Sequence, residues 1–206
     1  MTAAHALSEA TGLHLHILPG LVENDPPIVH AKITLKAHSP MTTPPSLDLS
    51  ALRVRPATAA DSPRLISLIN SAFSIEIFFD GTRTDGERLA AMMSKGSILL
   101  AEDRSGRFVA CVYTEVRGTR GYMGQLAVDP AHQRAGLGRF MAEAAENHLR
   151  RHGCEAVDIT VLSQRPELPP LYRKFGYVET GTQEFSTSRP LKSGVECHCI
   201  VMSKKL

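Results

Sequence analysis

The chain has 206 residues, with 23 Lys and Arg against 21 Asp and Glu, a net charge of +2 at pH 7, and 43% hydrophobic side chains. That length admits one domain of ordinary size plus extra segments, and the composition excludes wholesale disorder. No apolar run approaches the roughly 18 residues of a membrane span, and no Lys/Arg stripe marks a nucleic-acid surface.

Composition breaks near residue 50. The first 50 residues hold no Arg and no aromatic residue, yet carry His5, His14, His16, His30 and His38 and six of the 13 prolines. Aromatics bury the largest apolar areas, so such a segment struggles to build its own core. Residues 13–17 and 29–36 alternate like strands, but a lone two-stranded ribbon is marginal in water. The segment lacks the features of a secretory or mitochondrial leader. We therefore expect a poorly ordered extension over residues 1–50 and a folded domain over 51–206, with Met41 as an alternative start. The histidines lack metal-ligand spacing, so no metal is assigned.

Residues 51–56 alternate as a short strand. Thr58 and Asp61 supply a helix start, followed by Leu65, Ile66, Leu68, Ile69 and Phe73 at helical spacing. Residues 84–94 read as a second helix closed by Lys95 and Gly96. Strands are expected over 97–102 and 108–116, then a turn bracketed by Gly118 and Gly121, then a strand over 122–128 stopped by Asp129-Pro130. A long helix follows from about Gly138 to His152, with Glu146 and Arg150 as an exposed i,i+4 pair. A strand over 156–162, a short helix opened by Pro169-Pro170 and stopped at Gly176, and closing strands over 177–180 and 196–202 complete the order β-α-α-β-β-β-α-β-α-β-β. This is an α/β (α+β) pattern: a mixed sheet flanked by helices. In the last strand, Cys197-His198-Cys199 places both thiols on one side. With Cys111 and Cys154 these form neither a CxxC pair nor a disulfide framework, and read as reduced thiols of a cytoplasmic protein.

The most informative stretch runs from Leu126 to Arg139: Leu-Ala-Val-Asp-Pro-Ala-His-Gln-Arg-Ala-Gly-Leu-Gly-Arg. A strand ends, the chain turns, and a Gly-rich loop opens a helix. Helix openings present unpaired N–H groups at a positive dipole end, which suits an anion. A P-loop would need Lys-Ser/Thr after the glycines, and Arg139-Phe140 stands there instead. A dinucleotide fingerprint would need a small residue at Met141, and Asp158 lies inside its strand rather than at its end.

Gln133-x-x-Gly136-x-Gly138 resembles the pyrophosphate-binding motif of the GNAT superfamily of N-acetyltransferases. Residues 52–61 resemble the opening strand and helix start of such domains, residues 125–130 the strand before the motif, and residues 171–177 the late LYxKxGF segment. The resemblance implies a GNAT-like, mostly antiparallel central sheet. It implies acetyl-CoA as co-substrate, with its diphosphate on the main chain of Gln133, Arg134, Ala135, Gly136, Leu137, Gly138 and Arg139, and its arm along Leu126, Ala127 and Val128. Tyr172 matches the residue that protonates the departing thiolate. Glu115, at a strand end, is a candidate base, and Gln125 stands where relatives often carry an acidic group. Asp80, Asp85 and Glu76 lie where relatives admit the acceptor, either to recognise a cationic amine or as solvated loop residues. Arg165 departs from the family by standing where many relatives have Asn.

The function implied is acetyl transfer from acetyl-CoA to a primary amine of a small molecule or peptide. The alternatives are a non-catalytic acetyl-CoA-binding regulatory domain and an unrelated nucleotide-binding fold.

Overall fold

The computed structural model describes residues 47–185 and 190–206. The expected ribbon, the histidine cluster and Met41 lie outside the described residues. Residues Ser46–Leu206 form one compact unit. Leu47, Leu49 and Leu52 pack against its core, so packing begins a few residues upstream of position 51.

Seven strands and four α-helices follow in the expected order: β1 Arg53–Pro56, α1 Ser62–Ala72, α2 Gly86–Lys95, β2 Ser97–Glu102, β3 Phe108–Arg117, β4 Arg120–Val128, α3 Leu137–Arg151, β5 Ala156–Leu162, α4 Leu168–Lys174, β6 Val178–Glu184 and β7 His198–Lys205. The strands form one sheet in the order β1-β2-β3-β4-β5-β7-β6. Only β4 and β5 run parallel; every other neighbouring pair is antiparallel. The sheet is therefore mixed, as the order of elements implies, and mostly antiparallel, as the family resemblance implies.

Alternation sends successive side chains to opposite faces. Ile98 and Leu100 of β2 join Cys111 and Tyr113 of β3 under Leu65, Leu68 and Ile69 of α1 and Leu89 of α2. Leu99, Val112, Met123, Val157 and Ile159 face the other way, under Leu137, Met141, Ala145 and Leu149 of α3. Covered on both faces, β3 is buried from Phe108 to Thr114, which explains its unbroken apolar run.

The start of α1 is fixed by charge. Asp61 Oδ2 accepts from the Thr58 amide at 2.7 Å, and both its oxygens accept from Arg55 at 2.8 Å. The Arg55 guanidinium, hydrogen-bonded to this carboxyl, holds it far below the usual carboxylate range. Asp85 caps α2 by accepting from the Arg88 amide at 2.9 Å.

Two local expectations are corrected. Gly121 lies inside β4 rather than in the turn. A Cβ there would stand 2.6 Å from Leu149, so glycine is what lets α3 approach the sheet. Glu146 is not paired on the surface with Arg150. It is buried, accepting from Tyr177 Oη at 3.0 Å and from Lys204 Nζ at 2.7 Å, while Arg150 donates to Asn147. The exposed i,i+4 pair of α3 is Arg139–Glu143. In β7, Cys199 is buried and Cys197 half-buried just before the strand begins.

Candidate active site

Strands β4 and β5 pair from Arg120 opposite Ala156 to Met123 opposite Ile159, and no further. Both continue, β4 to Val128 and β5 to Leu162, so the sheet opens into a wedge. A bulge in β4 helps to open it: Cys111 pairs with Ala127 but Tyr113 with Gly124, and Gln125 has φ +46°. Within the wedge, β4 and β5 no longer satisfy each other's main chain, which leaves hydrogen-bonding groups for a ligand.

The wedge is part of a cleft of about 690 Å³. Met123, Gly124, Gln125, Leu126 and Val128 form one wall, and residues 159–162 the other. Leu168, Leu171, Tyr172 and Phe175 of α4 close the second wall.

At one end stand Gln133, Arg134, Gly136, Gly138 and Arg139. Arg134 has φ +65° and Gly136 φ +80°, so the loop curls through two left-handed residues before α3 begins. Gly136 caps α3 with no side chain on the first amides. A Cβ at Gly138 would meet nothing within 4 Å, so that face of the helix start is open. Uncapped amides, a positive helix end and two arginines make this the natural place for an anion.

The sequence-derived residues divide cleanly. Leu126, Val128, Gln133, Arg134, Gly136, Gly138, Arg139 and Tyr172 all line the cleft. Ala127 and Leu137 turn their side chains into the core and offer only main chain. Ala135 stands between two lining residues without lining the cleft itself.

Glu115 is not brought to the cleft lining. It accepts from Arg117 at 2.8 and 3.0 Å and from Tyr113 Oη at 3.0 Å. Arg117 holds its carboxyl below the ordinary value, the wrong direction for a base.

Tyr172 is half-buried, with its ring edge-on to Phe175 and Tyr177. Burial pushes its phenol up to about 12, with Tyr122 adding to the shift and Arg165 opposing it.

Also lining the cleft, Glu76 from the α1–α2 loop is buried and bonded to Arg83 at 2.8 Å. It is not a solvated loop residue. Arg83, which sequence reasoning missed, also donates to Gln125 Oε1 at 2.7 Å. No local pattern marks Arg83, because its role depends on how the loop folds back. Among the described residues no group of three His, Cys, Asp or Glu side chains is placed to hold a metal. No described helix is long and apolar enough to cross a membrane.

Comparison with known proteins agrees with this geometry. A family model described as "Acetyltransferase (GNAT) family" matches residues 64–177. Glucosamine 6-phosphate N-acetyltransferase 1 of Oryza sativa subsp. japonica is 32% identical over 146 residues, which is 66% of this chain and 87% of the relative. The ribosomal-protein-S18-alanine N-acetyltransferase of Escherichia coli shares the fold, with TM-score 0.61 at 19% identity over 75% of this chain and 93% of that chain. So does the yncA protein of Salmonella typhimurium, solved with its cofactor acetyl-CoA: TM-score 0.59, 23% identity, 76% of this chain and 94% of that chain. The chain belongs to the acetyltransferase (GNAT) family and is an N-acetyltransferase.

Proposed function

We propose that the main chain of residues 133–139 holds the diphosphate of acetyl-CoA, that the wedge between β4 and β5 holds its pantetheine arm and acyl group, and that a small-molecule or peptide amine enters from the opposite end. The observation that carries this reading is the loss of pairing beyond Met123 and Ile159, in a wedge that leads to an uncapped helix start. The residues present fit such a ligand. Gly136 adopts φ +80° without strain, the missing Cβ of Gly138 leaves room for phosphate oxygens, and Arg134 and Arg139 supply opposite charge.

Acetyl-CoA supplies a thioester, and the protein's part is placement and proton handling. Leu126, Ala127 and Val128 offer β4 main chain beside the acyl group, with the Val128 amide aimed at charge developing on the carbonyl oxygen. The neutral amine nitrogen bonds to the acyl carbon, the carbon–sulfur bond breaks, the nitrogen gives up one proton to solvent and the sulfur takes one from the protein, which solvent then restores. Tyr172 holds that proton at Oη. From about 12, transfer to a thiolate of ordinary pKa near 8.5 is uphill by about 5 kcal/mol, well inside a barrier of about 16 kcal/mol for ten turnovers per second. Glu115 has less support as the base, because its carboxylate is committed to Arg117 and Tyr113.

The rice relative is named for glucosamine 6-phosphate, which makes that amine the first acceptor to assay. The matched relatives carry enzyme names, which lends no support to a non-catalytic regulatory domain. We place the enzyme in the cytoplasm, as a domain over 51–206 behind an extension over 1–50; Cys111, Cys154, Cys197 and Cys199 are free thiols.

Thermal-shift titration with acetyl-CoA, CoA, NAD and ATP tests the assignment. A shift with acetyl-CoA and CoA, joined by thiol release in the presence of an amine, is expected. A shift with NAD or ATP alone contradicts it.

A further inference from the structure

Three charged side chains meet where the α1–α2 loop faces the β5–α4 loop across the cleft. Glu76 is 4% exposed. Arg83 Nη1 donates to its Oε2 at 2.8 Å, and Arg165 Nη1 stands 3.6 Å from its Oε1. Arg83 also donates through Nε to Gln125, and its guanidinium lies 4.4 Å from the centroid of the Phe73 ring. Arg165 Nε donates to Glu167 at 2.5 Å. All six of these residues line the cleft.

One buried carboxylate stands between two guanidiniums. The Arg83 and Arg165 side chains are 25% and 16% exposed, whereas the second carboxylate, Glu167, is 56% exposed and screened by water. Among the described residues, the buried part of this cluster therefore carries two guanidiniums against one carboxylate. Both oxygens of Glu76 already face a guanidinium, which leaves it a poor receptor for a cationic group.

The arrangement is also held in place. Asn70 Nδ2 donates to the Thr84 carbonyl at 3.0 Å, and the Thr84 amide donates back at 2.9 Å. The Lys192 amide donates to the Phe78 carbonyl at 3.0 Å and the Asp80 amide to the Pro190 carbonyl at 3.1 Å. Fixed guanidinium forks match the oxygens of phosphate and carboxylate, and holding them in advance lowers the cost of binding.

We propose that Arg83 and Arg165 read a negative group, phosphate or carboxylate, on the amine acceptor, so that the substrates of this enzyme are anionic amines. This rests on the acetyl-transfer reading above. Glu76 orients the two arginines. The surplus positive charge opposes polyamines. It also disfavours the ammonium form of the acceptor, which raises the fraction of neutral amine able to attack.

The test is thiol release from acetyl-CoA by the full chain with matched acceptors: glucosamine 6-phosphate against glucosamine, and glutamate against its diamide, with spermidine as polycation. The two pairs separate phosphate from carboxylate. At least a tenfold preference in kcat/KM for an anionic member over its neutral partner is expected. In Arg83→Gln or Arg165→Gln that preference falls at least tenfold while the acetyl-CoA thermal shift persists, and Arg165→Lys restores part of it. Three results overturn the proposal. The neutral amines or spermidine turn over as fast as the anionic ones; a variant loses both members of a pair in equal proportion; or acetyl-CoA binds while no anionic amine in the panel is acetylated. Failure of the acetyl-transfer reading looks different: acetyl-CoA gives no thermal shift and no thiol appears with any acceptor.

Discussion

Glu146 of α3 and Tyr177, just before β6, meet inside the core, where the phenol donates to the carboxylate at 3.0 Å and Lys204 of β7 completes the trio at 2.7 Å. The contact ties the long helix to the far edge of the sheet. Removing one partner of a buried pair leaves the others without compensation. Glu146→Ala is expected to cost about 3 kcal/mol in urea denaturation, with Tyr177→Phe restoring part of the loss in the double variant. Burial first, then Glu146, raises the Tyr177 phenol well above the ordinary range. A phenol whose folded value is raised stabilises fully below the unfolded value and loses that contribution as pH climbs above about 10. Stability of the wild type should therefore decline above that pH, and Tyr177→Phe should decline less.

At acid pH the corresponding group is Asp61. Its carboxyl is lowered chiefly by Arg55, so its contribution is present above the unfolded value of 3.8 and lost as pH falls below it. Asp61→Asn is expected to lose about 2 kcal/mol at pH 7, and the gap to wild type should close as pH falls below that value. Chemical denaturation at several pH values measures it; a gap independent of pH refutes the assignment.

Tyr172→Phe should lower kcat by about 100-fold, in the range of a lost general acid, and leave the KM for acetyl-CoA within about twofold. With its phenol at about 12, the wild-type pH profile should show no loss from Tyr172 between pH 7 and 10. A descending limb near pH 10 that vanishes in the variant would place the phenol in water rather than against the apolar wall.

Glu115→Gln should keep kcat/KM within about fivefold, because the carboxylate is tied to Arg117 and Tyr113 away from the cleft lining. A loss near 1,000-fold, with binding of acetyl-CoA intact, would make Glu115 the base after all.

What could be read from the sequence follows from the range of the forces involved. Strands β2 and β5 match their expected bounds, because apolar alternation or continuity is a local record of burial. Gly121 was ambiguous: a glycine marks either a turn or a close approach, and only Leu149 decides which. Glu146 sits on the polar side of its helix by periodicity, yet its partners Tyr177 and Lys204 arrive from distant strands. In the cleft, the loop over 133–138 was legible because its binding groups are main chain and its glycines are visible. Arg83 was not, since a loop arginine has no periodicity to expose it. Arg165 showed only as a departure from the family's Asn, and its partner Glu76 needed the folded loops.

The central claim is that main-chain amides at the start of α3 hold a diphosphate. Isothermal titration of the wild type and Gly138→Val with acetyl-CoA and with S-acetylpantetheine, which lacks the diphosphate, tests it most directly. The wild type should bind acetyl-CoA at least 100-fold more tightly than the truncated thioester. The variant should fold, because a Cβ there meets nothing within 4 Å, and lose most of that difference. Equal affinity of the wild type for the two ligands, or an undiminished preference in the variant, would contradict the account.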